Sequence, residues 1–155
     1  MIIVTGGAGF IGSNLVRALN ERGCSDILLV DCVESVDQID NLADLSITDY
    51  IDKDEFRRRL ERSVGFGAVD RVYHQGACSD TMAVDSRYML ENNYSFSRDL
   101  LWWCVGRRVS VIYAWSAAVY GSGVEFSENP GVEHPLNVYT YSESLVDNNG
   151  RQTML

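Results

Sequence analysis

Hydrophobic positions at the start of the chain follow two different patterns. An apolar, β-branched run over residues 1–5 predicts a short strand, and residues 10–22 then carry apolar side chains at helical spacing. Gly23 ends that helix, because glycine readily adopts the backbone conformation found at helix C-termini. Residues 26–31 are almost continuously apolar, which is typical of a strand covered on both faces. The chain is therefore predicted to open with a strand, a helix and a second strand.

The same alternation continues along the rest of the chain. Residues 37–52 are mixed and polar, with no predicted element. The later pattern predicts helices over 53–63 and 85–105, buried strands over 69–74 and 109–115, and a helix from about residue 138 that Asn148, Asn149 and Gly150 interrupt. Strands that alternate with helices predict an α/β fold, a doubly wound parallel sheet of the Rossmann type.

Composition narrows the range of partners. With 155 residues, 46% of them hydrophobic, the chain can bury one real core, and we expect one domain. The net charge of −9 would repel the phosphates of nucleic acids and anionic membrane surfaces. No apolar run approaches the roughly 18 residues that cross a bilayer. The acidic charge therefore favours small molecules as partners. Four cysteines without a C-x-x-C pair, and an opening strand without a signal peptide, predict a reduced, cytoplasmic protein.

Candidate chemistry begins at the turn after the first strand, which has glycines at positions 6, 9 and 12. Residues without Cβ atoms allow a tight turn, a close approach to a pyrophosphate and close packing of helix on strand, while the helix N-terminus attracts the anion. Asp31 ends the second strand 19 residues after Gly12, where a carboxylate can accept hydroxyls of an adenosine ribose. This context favours a dinucleotide site over a turn that merely needs glycine.

Longer segments extend the match to a known family. The glycine spacing resembles the extended short-chain dehydrogenase/reductases. The segments MIIVTGGAGFIGSN, HQGACS, ENNYSFS, SAAVYG and PLNVYTYS resemble the ADP-glycero-manno-heptose 6-epimerases within that family. The resemblance covers essentially the whole chain and corresponds to the first half of those enzymes. It implies that residues 1–155 form a dinucleotide-binding domain and that the substrate lobe is absent.

The resemblance also implies a cofactor and the residues that contact it. The cofactor would be NADP, with NAD as the other possibility. The implied contacts are the turn residues Gly6, Gly9, Phe10, Ile11 and Gly12, the ribose neighbours Asp31 and Cys32, the strand-end residues Gln75, Gly76, Ala77, Cys78 and Ser79, and Lys53 and Asn92. Ligands of open α/β sheets bind outside the carboxyl ends of strands, which supports residues 75–79. Taken alone, Asn92 is equally typical of a solvated polar residue, and Lys53 of a surface charge.

For catalysis, the resemblance implies Tyr139 as the general acid/base and Ser116 as its hydrogen-bond partner. The family's motif has a lysine four residues after the tyrosine, and this chain has Glu143 there. Residues four apart on a helix face each other, so a carboxylate at this position disfavours the ionised tyrosine that the lysine would stabilise. This departure bears directly on whether the chain turns over a substrate.

The implied reaction inverts C6″ of an ADP-bound heptose by transient oxidation, which makes the enzyme an isomerase, with a nucleotide sugar as its small-molecule partner and a homo-oligomer as a possible assembly. Two alternatives stay open. One is a catalytically silent dinucleotide-binding module, natural or designed, and the other is a nucleotide-sugar 4-epimerase or dehydratase of the same extended family.

Other reactive or aromatic side chains have plainer interpretations. Cys78 has no sequence-linked histidine and is interpreted as unreactive, and His74 as a packed, hydrogen-bonded residue. With His134 as the only other histidine, no metal site is predicted. Trp102 and Trp103 lie about 100° apart on a helix, so both cannot face inward, and the outward one is a candidate for an interface.

Overall fold

Five parallel strands form one sheet in the computed structural model, which describes residues 1–79, 85–123, 125–127 and 129–153. The strands are β1 (Ile2–Thr5), β2 (Ile27–Asp31), β3 (Asp49–Asp52), β4 (Arg71–His74) and β5 (Ser110–Tyr113). Their order is β3-β2-β1-β4-β5, and every neighbouring pair is parallel. This topology confirms the predicted Rossmann-type α/β fold.

Helices connect the strands along the chain, and a further helix follows the last strand. The α-helices are α1 (Phe10–Glu21), α2 (Val36–Leu42), α3 (Lys53–Glu61), α4 (Ser86–Met89), α5 (Phe96–Arg107) and α6 (Val138–Thr153). A π-helical turn, Leu90–Ser95, joins α4 to α5, and 3₁₀ turns cover Ala117–Tyr120 and Pro130–Val132. The helical pattern predicted over residues 85–105 is therefore real, but it includes one wide turn.

The chain divides into two compact units. The first unit comprises Met1–Gly76 and Trp103–Tyr113, and so contains the sheet with α1, α2 and α3. Its core joins β1, β2 and α1 through Val4, Val16, Leu19, Ile27 and Leu29. Four of the five residues of β2 are buried, as its continuous apolar sequence predicted. Each aliphatic side chain removed from water in this way contributes about 1.5–3 kcal/mol.

The second unit comprises Ala77–Trp102 and Ala114–Leu155. The π-helical turn packs against α6 here, and the inward side of α6 is largely polar. Its buried polar residues are Thr140, Ser142, Glu143, Ser144 and Asp147. A helix with such an inward side does not show an apolar stripe in its sequence.

Two predictions from the pattern are wrong, and two elements lie where the pattern predicted none. Residues 37–52, which are mixed and polar in sequence, contain most of α2 and all of β3. The apolar pattern did not predict these two elements, because α2 buries no residue and β3 buries only Ile51. The strand over residues 109–115, predicted to be buried, is half-exposed as β5, because it is the last strand on its side of the sheet in the described part of the chain.

The second wrong prediction concerns Asn148, Asn149 and Gly150, which do not interrupt α6. Arg151 forms ion pairs with Asp147 one turn earlier and with Glu133 at 3.5 Å. These ion pairs support the last turns of the helix despite their poor intrinsic helix propensity.

The tryptophan pair behaves as predicted, since Trp103 is 6% exposed and Trp102 is 53% exposed. All four cysteines are free thiols, and burial raises the pKa of Cys104 to about 12. Within the described ranges, no helix is long and apolar enough to span a bilayer. The same ranges contain no cluster of three or more His, Cys, Asp or Glu side chains that could hold a metal ion.

Candidate cofactor and catalytic residues

The glycine turn between β1 and α1 is closed by contacts that exclude larger residues. Gly6 has a φ of +68°, and a Cβ on it would lie 2.6 Å from the amide nitrogen of Gly76. A Cβ on Gly12 would lie 2.1 Å from the carbonyl oxygen of Gly6. Gly9 differs, because a Cβ there would meet only this same oxygen, at 3.4 Å. The fold therefore requires glycine at 6 and 12 but not at 9.

The N-terminus of α1 begins directly after this turn. Among the described residues no side chain caps it, and its first turn carries no acidic residue. The first N–H groups of a helix lack intrahelical partners and attract anions. Phe10 and Ile11 stand at this end with 80% and 63% of their surfaces exposed. The arrangement suits a phosphate group bound at the N-terminus of α1, next to Gly9.

Asp31 is attached to the glycine turn through its carboxylate. Its Oδ2 accepts a hydrogen bond from the backbone nitrogen of Ala8 at 2.7 Å, and its Oδ1 accepts one from that of Cys32 at 2.7 Å. Each carboxylate oxygen can accept more than one hydrogen bond, so each can also accept a hydrogen bond from a ribose hydroxyl. The structure thus brings together the turn and the acidic strand end that the sequence singled out.

The loop after Asp31 is organised by Gln38. This side chain completes a capping box with Ser35, accepts a hydrogen bond from the backbone of Glu34 at 2.8 Å and donates one to the carbonyl oxygen of Cys32 at 3.0 Å. The Cys32 thiol donates to the Glu34 carboxylate at 3.3 Å, and this bond raises the pKa of Cys32.

Lys53 begins α3 directly after its capping residue Asp52. Its charge is close enough to Cys32 to oppose the rise in the pKa of that thiol. Lys53 thus places a positive charge near Cys32, where the carboxylates of Glu34 and Asp52 also act.

The end of β4 is fixed to β1 by side chain and backbone. The Thr5 hydroxyl lies 2.6 Å from Nδ1 of His74 and accepts the backbone N–H of Gly76 at 3.3 Å. The backbone nitrogen of Gln75 donates to the Thr5 carbonyl at 3.0 Å. Burial lowers the pKa of His74 to about 4, so the imidazole is neutral near pH 7. His74 is therefore the packed, hydrogen-bonded residue that the sequence predicted.

Residues 77–79, which are the last three of the predicted cofactor segment 75–79, belong to the second unit. Ala77 and Ser79 are exposed and Cys78 is half-buried. Asn92 is 7% exposed, which rules out the solvated alternative, and its amide donates to Oδ1 of Asn93 at 3.1 Å. Sequence reasoning missed Asn93, although the Asn92–Asn93 doublet within a long helical pattern was a visible signal.

Ser116 and Tyr139 both lie in the second unit at the starts of helical turns. The Ser116 hydroxyl accepts the backbone N–H of Ala118 at 3.2 Å and so caps the 3₁₀ turn. Tyr139 is half-buried in the first turn of α6, which Asn137 caps by accepting the backbone N–H of Thr140 at 2.9 Å. In the described part of the chain no hydrogen bond joins the side chains of Ser116 and Tyr139, so the structure does not show the predicted partnership.

Glu143 lies one turn after Tyr139 and is 7% exposed. Burial raises its pKa to about 7, so near neutral pH the carboxyl group is about half protonated. The like-charge repulsion that the sequence predicted at this position is correspondingly weaker, because a protonated carboxyl group carries no charge.

The sheet order, the glycine turn and the carboxylate at the end of β2 define a protein of the Rossmann-type α/β class, a fold on which many dinucleotide sites are built. The chain belongs to the NAD dependent epimerase/dehydratase family, whose model matches residues 2–150. This membership agrees with the resemblance found in the sequence.

Individual relatives support the same conclusion. The chain is 54% identical over 147 residues to an ADP-L-glycero-D-manno-heptose-6-epimerase of Alkalilimnicola ehrlichii, a match that covers 95% of this chain and 46% of the relative. The crystal structure of the Helicobacter pylori ADP-L-glycero-D-manno-heptose-6-epimerase superposes with a TM-score of 0.81 at 30% identity, over 95% of this chain and 49% of that one.

A UDP-glucuronic acid 4-epimerase from Bacillus cereus, solved in complex with NAD, matches with a TM-score of 0.83 at 24% identity. That match covers 98% of this chain and 51% of the other, and at this identity it shows the fold alone. The chain thus spans about half the length of the relatives it matches.

Proposed function

We propose that this chain binds a nicotinamide dinucleotide and provides the cofactor-binding part of an epimerase that acts on a nucleotide sugar of the ADP-glycero-manno-heptose type. The observation that carries the proposal is the glycine turn with its attached carboxylate, Asp31. The 54% identity to a heptose epimerase supports the substrate class.

The proposed function divides into cofactor binding and proton transfer, each assigned to particular residues. The N–H groups at the start of α1 bind the pyrophosphate, and Asp31 accepts hydroxyls of the adenosine ribose. The nicotinamide, when bound, supplies the hydride chemistry. Tyr139 exchanges a proton with a sugar hydroxyl, and Ser116 orients that hydroxyl by hydrogen bonding. The domain assignment of residues 1–155 as the dinucleotide-binding part belongs to this proposal.

The cofactor preference follows from the charges around Asp31. Gln38 is held by the capping box and carries no charge, while Glu34 and Asp31 are acidic. A 2′-phosphate there would meet these carboxylates, with Lys53 as a nearby cation. The chain therefore binds NADP and NAD with at most a modest difference in affinity, and Lys53→Ala weakens NADP more than NAD.

A second candidate is a dinucleotide-binding protein without turnover. The observation that favours it is Glu143, a buried carboxyl group at the position where the resemblance implies a lysine. An epimerisation assay with ADP-heptose separates the two candidates. Turnover by the chain with Glu143 in place supports the epimerase, and cofactor binding without turnover supports the second candidate.

Gly9 provides a sharp test of cofactor binding. Its backbone φ of −74° suits any residue, and a Cβ meets nothing closer than 3.4 Å, so Gly9→Ala keeps the fold. The added methyl group would occupy the place of the pyrophosphate. We expect the dissociation constant for NAD, measured by calorimetry, to rise at least about tenfold, which corresponds to 1.4 kcal/mol.

The matched control is Gly106→Ala, because a Cβ on Gly106 meets no heavy atom within 4 Å. This variant should bind NAD as the parent chain does. If Gly9→Ala also binds NAD with unchanged affinity, the pyrophosphate does not lie on this turn.

A further inference from the structure

Asn93 holds the backbone of Cys78 on both sides. The side chain is 1% exposed and lies in the π-helical turn. Its Oδ1 accepts the N–H of Cys78 at 2.8 Å, and its Nδ2 donates to the carbonyl oxygen of Cys78 at 3.1 Å. One amide thus pairs with one backbone residue as a neighbouring strand would. This contact fixes the middle of the segment 77–79.

The same amide continues into α6. Nδ2 of Asn93 lies 3.2 Å from Oγ of Ser142, and the Ser142 hydroxyl donates to the carbonyl oxygen of Tyr139 at 2.6 Å. Because the serine proton is directed at Tyr139, its oxygen is left to accept from Asn93. The bonds therefore run in one direction, from Asn93 through Ser142 to the backbone of Tyr139.

The orientation of the amide is fixed by its partners. Exchanging its oxygen and nitrogen would set the NH₂ group against the N–H of Cys78 and the oxygen against a carbonyl oxygen, and both contacts are repulsive. Asn92 and Asn93 are adjacent in the π-helical turn, and both are buried. Such wide turns are frequently found at functional sites.

We propose that Asn93 is a positioning residue that couples the segment 77–79 to the first turn of α6, so that order in the segment fixes the position of Tyr139. The inference rests on the proposed function, in which residues 77–79 contact the cofactor and Tyr139 exchanges a proton. An amide fits this role because it is both donor and acceptor, which no aliphatic side chain of similar size can match.

The test uses three variants of the full chain. Asn93→Leu removes both links, Ser142→Ala removes only the link to Tyr139, and Ser144→Ala is the control. Ser144 is also buried on α6, but its hydroxyl bonds Glu133 at 3.1 Å instead. The measurements are hydrogen exchange of backbone amides by NMR and the dissociation constant for NAD by calorimetry.

We expect Asn93→Leu to speed amide exchange of Cys78 about tenfold or more, since a buried N–H loses its acceptor. Ser142→Ala should speed exchange in the first turn of α6, leave Cys78 protected and weaken NAD binding several-fold. The double variant should bind NAD no more weakly than Asn93→Leu alone, because both changes cut one chain of bonds. Ser144→Ala should change neither measurement.

Two results would overturn the proposal. One is unchanged amide exchange in the first turn of α6 in Ser142→Ala. This result is sufficient by itself to reject the proposal, even if Asn93→Leu fails to fold. The other is faster exchange with unchanged NAD affinity, which would make the contact structural only. A parent chain that binds no NAD contradicts the proposed function instead, and the exchange rates then still test whether Asn93 links the two segments.

Discussion

At the scale of single residues, burial changes the chemistry that residue type alone suggests. Glu143 stands where the resemblance implies a lysine, and the sequence shows this substitution. The sequence does not show that the carboxyl group is buried, because an acidic residue in a helix is usually solvated. Asn93 was missed for the same reason. Both residues depend on contacts with distant parts of the chain, which local patterns do not contain.

The raised pKa of Glu143, about 7 against a reference of 4.5, makes stability depend on pH. The folded chain holds this proton more tightly than the unfolded chain, so stability is higher below about pH 4.5 and falls as the pH rises towards 7. Glu143→Gln removes the ionisation and keeps the shape. Above pH 7 we expect this variant to be more stable than the parent by up to about 3 kcal/mol.

Urea unfolding at about pH 5 and about pH 8 measures the effect of Glu143→Gln. Glu21→Gln, at an exposed position of α1, is the matched control and should leave the pH dependence of the parent unchanged. Parallel pH profiles for the parent and Glu143→Gln would show that the carboxyl group is solvated.

At the scale of elements, the apolar signals were sufficient where an element is buried and insufficient where it is not. The helix α1 and the strands β1, β2 and β4 were predicted because the two spacings of helix and strand are plain in their sequences. The elements α2 and β3 were not, since neither carries an apolar pattern. The continuation of α6 through three poor helix formers depends on ion pairs with Arg151 and was equally invisible.

The packing of the glycine turn on β2 gives a prediction at this scale. A Cβ on Gly7 would lie 2.5 Å from Cγ of Leu29, a side chain that is fully buried. We expect Gly7→Ala to destabilise the chain by about 1–3 kcal/mol through overpacking. Leu29→Ala alone should cost about 2–5 kcal/mol, because it leaves a cavity.

The double variant should be more stable than the sum of the two single effects implies, since the new methyl group enters the space that Leu29 vacates. Denaturant unfolding of the four proteins measures the coupling, with Gly106→Ala as the glycine control. Strict additivity would mean that the turn shifts away from β2 instead of pressing on Leu29.

At the scale of the whole molecule, a net charge of −9 opposes association while exposed apolar side chains favour it. Ile112 on β5 is 50% exposed, and β5 is the last strand on its side of the sheet in the described part of the chain. We expect self-association to increase when salt rises from about 0.1 to about 1 M, because the screening length falls from roughly 10 to 3 Å.

Ile112→Lys should weaken this association by placing a charge on the strand edge. Val64→Lys, at a position 45% exposed outside the sheet, changes the net charge equally and is the control. Sedimentation velocity compares the three proteins. Equal association of the two lysine variants would show that β5 takes no part.

The polar inward side of α6 affects how easily this part of the protein opens transiently. Water that reaches an apolar core exposes hydrocarbon, whereas water that reaches the buried hydroxyl and carboxyl groups of α6 replaces one set of hydrogen bonds by another. Transient opening around α6 therefore costs less free energy than opening of the sheet. Amides of α6 should exchange through local fluctuations under conditions in which amides of β1 and β2 exchange only through global unfolding.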